Sequence, residues 1–249
     1  MIDIVKKTLE QFDLDLKRIL MNNYLDIILY GSTSLGYFAP NYGDIDFIVV
    51  LRENLNDDRI NLIYELHDEY RSKKFNNLEY QLEGVYYPKN VLENINLDFI
   101  GCYIGTGRKG WRKTTEFQLN VFDLIQIKNN GICYNKGKYN IYEPSENEIK
   151  KFVLEEIDKN NKLLDENIIP SHVVIQFAAR TIFYIENKRI GSKQESCRQY
   201  SEKMNGNELI NICGEKYTKN YREIEKQYPD HREIARQSLI DLIEIVKKK

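Results

Sequence analysis

IILYGSTSLGYFAPNYGDIDFIVVL, residues 27–51, sets two apolar runs on either side of a segment rich in small and turn-forming residues. Ile27–Tyr30 reads as a strand and Gly31–Ser32 as a turn. A short helical piece follows, ending at Pro40–Asn41–Tyr42–Gly43, and Asp44–Leu51 reads as a second strand. Short apolar runs bounded by Gly and Pro are the sequence signal of buried strands. The second run carries acid at its start, with Asp44 and Asp46 flanking Ile45. Strand residues at i and i+2 share a face, so both carboxylates point one way and Ile45 the other. Like charges so placed repel unless a cation lies between them. A hard, oxygen-preferring divalent ion, most simply Mg2+, removes the conflict.

Gly31 lets backbone approach a ligand closely, and Ser32 offers a hydroxyl and backbone N–H groups suited to a phosphate. A phosphate cradle and an acid pair on adjacent strands are the two halves of metal-assisted phosphoryl or nucleotidyl transfer. The alternative is a turn, a helix cap and two solvated acids at a strand end.

The run LYGSTSLGYFAPNYGDIDFIVVL resembles the signature of the DNA-polymerase-beta-like nucleotidyltransferase superfamily: Gly–Ser, a spacer, then Asp–x–Asp in a strand. The spacer length and the Pro–Asn before the acid pair look most like the aminoglycoside adenylyltransferases that modify streptomycin and spectinomycin. The resemblance implies an α/β (α+β) N-terminal nucleotidyltransferase domain with a mixed β-sheet, followed by an all-α C-terminal helical bundle.

Composition sets outer bounds. The chain has 249 residues, 42% of them hydrophobic and 30% charged, enough apolar content for a packed core under a charged surface. A net charge of −2 gives no general electrostatic case for binding nucleic acid. No apolar run approaches the ~18 residues that span a bilayer, and the first twenty residues are amphipathic rather than signal-like. Cys102, Cys133, Cys197 and Cys213 form no C-x-x-C pair, which points to reduced thiols and a cytoplasmic protein. His67, His172 and His231 are too dispersed for a metal cluster.

Along the chain, residues 2–22 and 57–73 have helical apolar spacing, the second as a crossover helix. Residues 78–88, LEYQLEGVYYP, read as a third strand with Glu79, Gln81 and Glu83 on one face. A third carboxylate near the acid pair is the natural general base for a substrate hydroxyl. Glu83, followed by Gly84, is the first choice, and it resembles the family's catalytic glutamate strand; Glu79 is the alternative. Phe99–Ile104 reads as a further strand, Gly105–Gly110 as a basic mobile loop, and residues 114–128 as a helix. Trp111 serves either the substrate wall or packing.

Ser145 and Glu148 form a capping box, which places a domain boundary near residue 144 and divides the chain into 1–143 and 144–249. Helices are expected from Ser145, from Pro170–Ser171, from Lys193, over 206–225 and over 230–247. Val173–Val174, Arg180, Phe183–Tyr184 and Arg189–Ile190–Gly191–Ser192–Lys193 resemble the family's C-terminal run, whose lysine reaches the nucleotide triphosphate. Lys193 is the matching position, and a lysine at a helix start, opposed to the dipole, needs a further reason to be there.

The resemblance implies an Mg2+-dependent enzyme, with two ions and ATP as co-substrate bound between the domains. Asp44 and Asp46 are metal ligands, Gly31, Ser32 and Lys193 hold phosphates, and Glu83 activates the acceptor. The expected acceptor is an aminoglycoside or similar polyhydroxylated amine, as in antibiotic resistance, with Glu116, Asp123 or Glu186 adding negative charge to the cleft. The protein is expected to work in the cytoplasm as a monomer or weak dimer. A protein acceptor, or a degenerate nucleotide-binding module, is the alternative.

Overall fold

The computed structural model describes residues 3–38, 44–71, 81–94, 101–107, 110–117, 119–215 and 221–248. The chain divides into two compact units, Met1–Glu143 and Pro144–Lys249.

The first unit runs α1 (Asp3–Leu20), β1 (Tyr24–Leu29), α2 (Gly31–Ser34), β2 (Asp44–Leu51), α3 (Asp57–Arg71), β3 (Gln81–Pro88), α4 (Lys89–Glu93), β4 (Gly101–Gly107), β5 (Gly110–Phe117), α5 (Val121–Asn130) and β6 (Ile132–Cys133). Among the described residues the strands form one mixed sheet in the order β5-β4-β3-β2-β1-β6. Only β2 and β3 pair in parallel; the other neighbours are antiparallel. A parallel pair needs a crossover connection, and α3 lies in it.

Strand alternation sends each residue to one of two cores. Ile45, Phe47 and Val49 pack with Leu9, Phe12 and Leu16 of α1 and Ile63 and Leu66 of α3. Ile28, Ile48, Val50, Val85 and Tyr87 pack on the opposite face with Leu124 and Ile127 of α5. Full burial of each such aliphatic side chain contributes about 1.5–3 kcal/mol. The buried Asp26 carboxylate accepts backbone N–H groups of Ile27, Asn135 and Gly137 at 2.7, 2.8 and 2.9 Å, fastening the turn after β6 to β1.

Two sequence expectations are corrected here. The described residues of the Gly105–Gly110 tract are not an open loop but strand ends, Thr106 pairing with Trp111 and Gly107 with Gly110, while Arg108 and Lys109 lie outside the described residues. A ladder is made by backbone groups, so glycine and charged residues do not prevent it. Residues 114–117 belong to β5, and the helix begins only after Asn120. Asn120 Oδ1 accepts the Asp123 N–H at 2.9 Å while Asp123 Oδ2 accepts the Asn120 N–H at 3.3 Å, a reciprocal cap that fixes the start. Glu79 and the Pro40–Gly43 turn lie outside the described residues.

The second unit is helical throughout: α6 (Glu146–Asp165), α7 (Ser171–Asn187), α8 (Lys193–Lys203), α9 (Glu208–Gly214), α10 (Tyr221–Gln227) and α11 (His231–Lys247). Ser145 and Glu148 close the capping box that starts α6. α7 packs against α6, α8, α9 and α11, as its nearly all-round apolar surface predicts. The single helix expected over 206–225 is instead α9 and α10: α9 stops at Gly214, a poor helix former, and the chain turns extended at Glu215. No helix among the described residues is long and apolar enough to cross a membrane.

Candidate active site

Asp44 and Asp46 open β2 and are half-buried, while Ile45 and Phe47 between and after them are fully buried. Because Ile45 and Phe47 face α1 and α3, the two aspartates face the α5 side. The parallel register sets Asp44 beside Gln81 and Asp46 beside Glu83. Register partners share a face, so Glu83, also half-buried, joins the acid pair.

On its other edge β2 meets β1. Leu29 pairs with Phe47, and the Tyr30 N–H donates to the Asp46 carbonyl at 3.0 Å, continuing the register by one step. Tyr30, Asp46 and Glu83 thus form a row across three adjacent strands. Tyr30 packs with Ile28 and Tyr87 on the α5 face. Burial, then the charges of Asp123, Asp46 and Glu83, push its phenol well above the ordinary range, so it stays protonated.

The chain then turns at Gly31, whose φ is +67°, in the left-handed region. A Cβ there would fall 1.9 Å from Asp46 Oδ2, so the carboxylate lies directly against the bare backbone of the turn. Only glycine permits both the dihedral and the approach. The Gly31 carbonyl accepts Gln126 Nε2 at 3.0 Å and Ser34 Oγ at 3.2 Å, so α5 clamps the turn from above. Ser32 is half-buried beside it.

Asp44 and Asp46 fit a magnesium ion by donor chemistry: two carboxylates on one strand face, half open to solvent. Mg2+ takes one or two protein carboxylates and completes its shell with phosphate oxygens and water. Among the described residues, no group of three or more His, Cys, Asp or Glu side chains is placed to hold a metal ion.

Gly31, Ser32, Asp44, Asp46 and Glu83 therefore come together in the first unit. Lys193 lies in the second, exposed at the first position of α8, where Ser192 Oγ caps the helix by accepting the Glu195 N–H at 3.0 Å. Burial pushes the Cys197 thiol up to about 12 against the opposing charges of Arg180 and Lys193. The sequence reading missed Tyr30 and Gln126. An aromatic residue just before a glycine turn, and a polar residue on the buried face of α5, were the available signals.

Residues 9–109 match the family model described as a nucleotidyltransferase domain. No curated protein sequence matches the chain. The crystal structure of spectinomycin adenyltransferase AAD(9) from Enterococcus faecialis, with ATP and spectinomycin, is similar at a TM-score of 0.62 and 16% identity, over 97% of this chain and 99% of that one. A toxin-antitoxin structure with AMP-PNP aligns over 63% of this chain and 90% of its own at 14% identity and a TM-score of 0.27, too distant to carry an argument. The Gly–Ser turn and the acid row of the first unit lie within the matched segment, so the chain carries a nucleotidyltransferase domain at residues 9–109 and shares its fold with the spectinomycin adenyltransferase.

Proposed function

We propose that the chain transfers AMP from ATP to a hydroxyl of a small polyhydroxylated amine of the aminoglycoside class, with Mg2+ as cofactor and pyrophosphate as product. The observation that carries this reading is the alignment of Asp46 with Glu83, with Asp44 on the same face and the Gly31 turn against them. The fold shared with a protein solved with ATP and spectinomycin supports the choice of donor and acceptor.

Asp44 and Asp46 would hold the metal, which when bound neutralises charge on the phosphates and polarises them. Gly31 backbone and the Ser32 hydroxyl receive phosphate oxygens. Lys193 supplies a cation to the triphosphate. Glu83 accepts the proton of the acceptor hydroxyl. The acceptor oxygen bonds to the α-phosphorus in line as the bond to pyrophosphate breaks. The free thiols of Cys133, Cys197 and Cys213 suit a reducing, ATP-supplied cytoplasm, where such a reaction would confer antibiotic resistance.

Incubation of the purified chain with ATP labelled at the α-phosphate, Mg2+ and a panel of aminoglycosides tests this. Acceptor-dependent pyrophosphate release with label on the small molecule is the expected result. Label on a protein band of a lysate, with none on any small molecule, would replace the acceptor class.

A further inference from the structure

We propose that Gln126 is a positioning residue, which holds the Gly31–Ser32 peptide in the one orientation that serves the nucleotide phosphates; this rests on the reading of that turn as the phosphate seat. Gln126 is 4% exposed and stands on α5 between the buried Ile125 and Ile127. A side-chain amide is costly in such surroundings unless it is hydrogen-bonded, and a methionine would fill the same space without that cost. The bond it makes leads out of its own helix: Nε2 donates to the Gly31 carbonyl at 3.0 Å, 95 residues back in the chain. Ser34 Oγ donates to the same oxygen at 3.2 Å from within the turn. One carbonyl thus takes two side-chain donors, one local and one from another element.

Holding that carbonyl also sets the group on the other side of the peptide. Among the described residues every peptide bond is trans. The C=O and the following N–H of a planar trans peptide point in opposite directions, so with the Gly31 oxygen turned to Gln126 the Ser32 N–H is presented on the edge away from it. Gly31 does not enforce this by itself. At a φ of +67° and with no Cβ, glycine leaves the peptide little hindered from turning over. A peptide turned over would put the negative end of its carbonyl where the N–H now lies, and an anionic phosphate is held by N–H groups, not by carbonyls. The same turn lies against the acid row, since a Gly31 Cβ would fall 1.9 Å from Asp46 Oδ2. Gln126 therefore reaches the phosphates and the acid pair through one backbone group, without touching either.

The test is calorimetric titration of the full chain with Mg·ATP, in the wild type, Gln126→Met and Gln126→Asn, alongside spectra of 15N-serine-labelled protein. Methionine fills the space without a donor, and asparagine keeps the amide but falls one methylene short of the carbonyl. A thermal unfolding scan shows which variants are folded. The expected result is Mg·ATP affinity lower by about tenfold or more in both variants, the scale of one hydrogen bond to a charged group. The Ser32 amide signal, identified by its loss in Ser32→Ala, should be displaced in the free variants, while the signals of Ser171, Ser196, Ser201 and Ser238 in the second unit stay in place; a general loosening of the fold would move all of them. In the wild type the Ser32 signal should shift on addition of Mg·ATP, a readout that needs no variant. Wild-type affinity in a folded variant overturns the proposal, as does a Ser32 signal indifferent to the loss of Gln126 or to saturating Mg·ATP. A wild-type chain that does not bind Mg·ATP overturns the phosphate reading and this inference together, and the wild-type titration alone tells that outcome from the others.

Discussion

The Asp46 carboxylate occupies the space that a side chain at Gly31 would need: a Cβ would lie 1.9 Å from its Oδ2 and 2.7 Å from its Cγ. The position also has a φ of +67°, which costs an L-residue about 1–2 kcal/mol. Gly31→Ala is therefore expected to push Asp46 out of line with Glu83. Activity should fall by about 100-fold, the scale of a misplacement near 1 Å. Pyrophosphate release and urea unfolding measured on the same preparation separate an effect on activity from an effect on the fold.

Glu83 lies beside Asp46 but belongs to a different strand, so its removal leaves the acid pair of β2 in place. Glu83→Gln should lower kcat by about 100- to 10,000-fold, the range for loss of a general base, while ATP binding is retained. Nucleotide titration alongside turnover checks this. A variant with full kcat would move the base elsewhere.

Gly84 follows Glu83 and faces the other core, where a Cβ would fall 2.2 Å from Phe47 Cε2 and Cζ. Phe47 is fully buried and packs edge-on against Phe12 at 5.2 Å between centroids, so it has little room to move. Gly84→Ala should destabilise the protein by about 1–3 kcal/mol, the usual cost of overpacking. Denaturant unfolding reads that change, and unchanged stability would show that the ring can shift.

Much of the site can be read from local sequence. Two aspartates around one isoleucine have to share a strand face, and a Gly–Ser turn between apolar runs has to bend there. The partner of Asp46 could not be read so. Register between β2 and β3 is fixed across the crossover helix by packing on both faces, and shifting it by one residue would have put Glu83 in the α1 core. The same parity assigned Glu83 a face but no neighbour. The hairpin of β4 and β5 was hidden because glycines and charges resemble a loop when pairing partners are unknown. The start of α5 was open to local reading, since Asn120 and Asp123 have the spacing of a cap. Lys193 stood out through resemblance and, more weakly, through its place against the helix dipole; Ser192 caps that helix start in the ordinary way.

Asp13 supplies a stability test that leaves the catalytic acids untouched. Burial raises its pKa, but hydrogen bonds from Lys17, Tyr24 and Asn135 outweigh that and hold it below the ordinary carboxylate value. A carboxylate lowered on folding adds stability above its unfolded pKa of about 4, and that contribution is lost as pH falls through the lower folded value. Asp13→Asn should be less stable than wild type at pH 7, and the gap should narrow as pH falls below about 4. Thermal unfolding of both proteins from pH 7 to pH 3 measures it; a gap that stays constant contradicts the assignment.

The central claim is that the acid row on β2 and β3 performs the transfer. Its most direct test is the steady-state rate of pyrophosphate release by Asp46→Asn at saturating Mg2+, ATP and acceptor. Asparagine preserves size and strand position but removes the charge that holds a dication. A fall of at least about 1,000-fold with an unchanged unfolding midpoint is the predicted result. A rate near that of the wild-type protein would contradict the account.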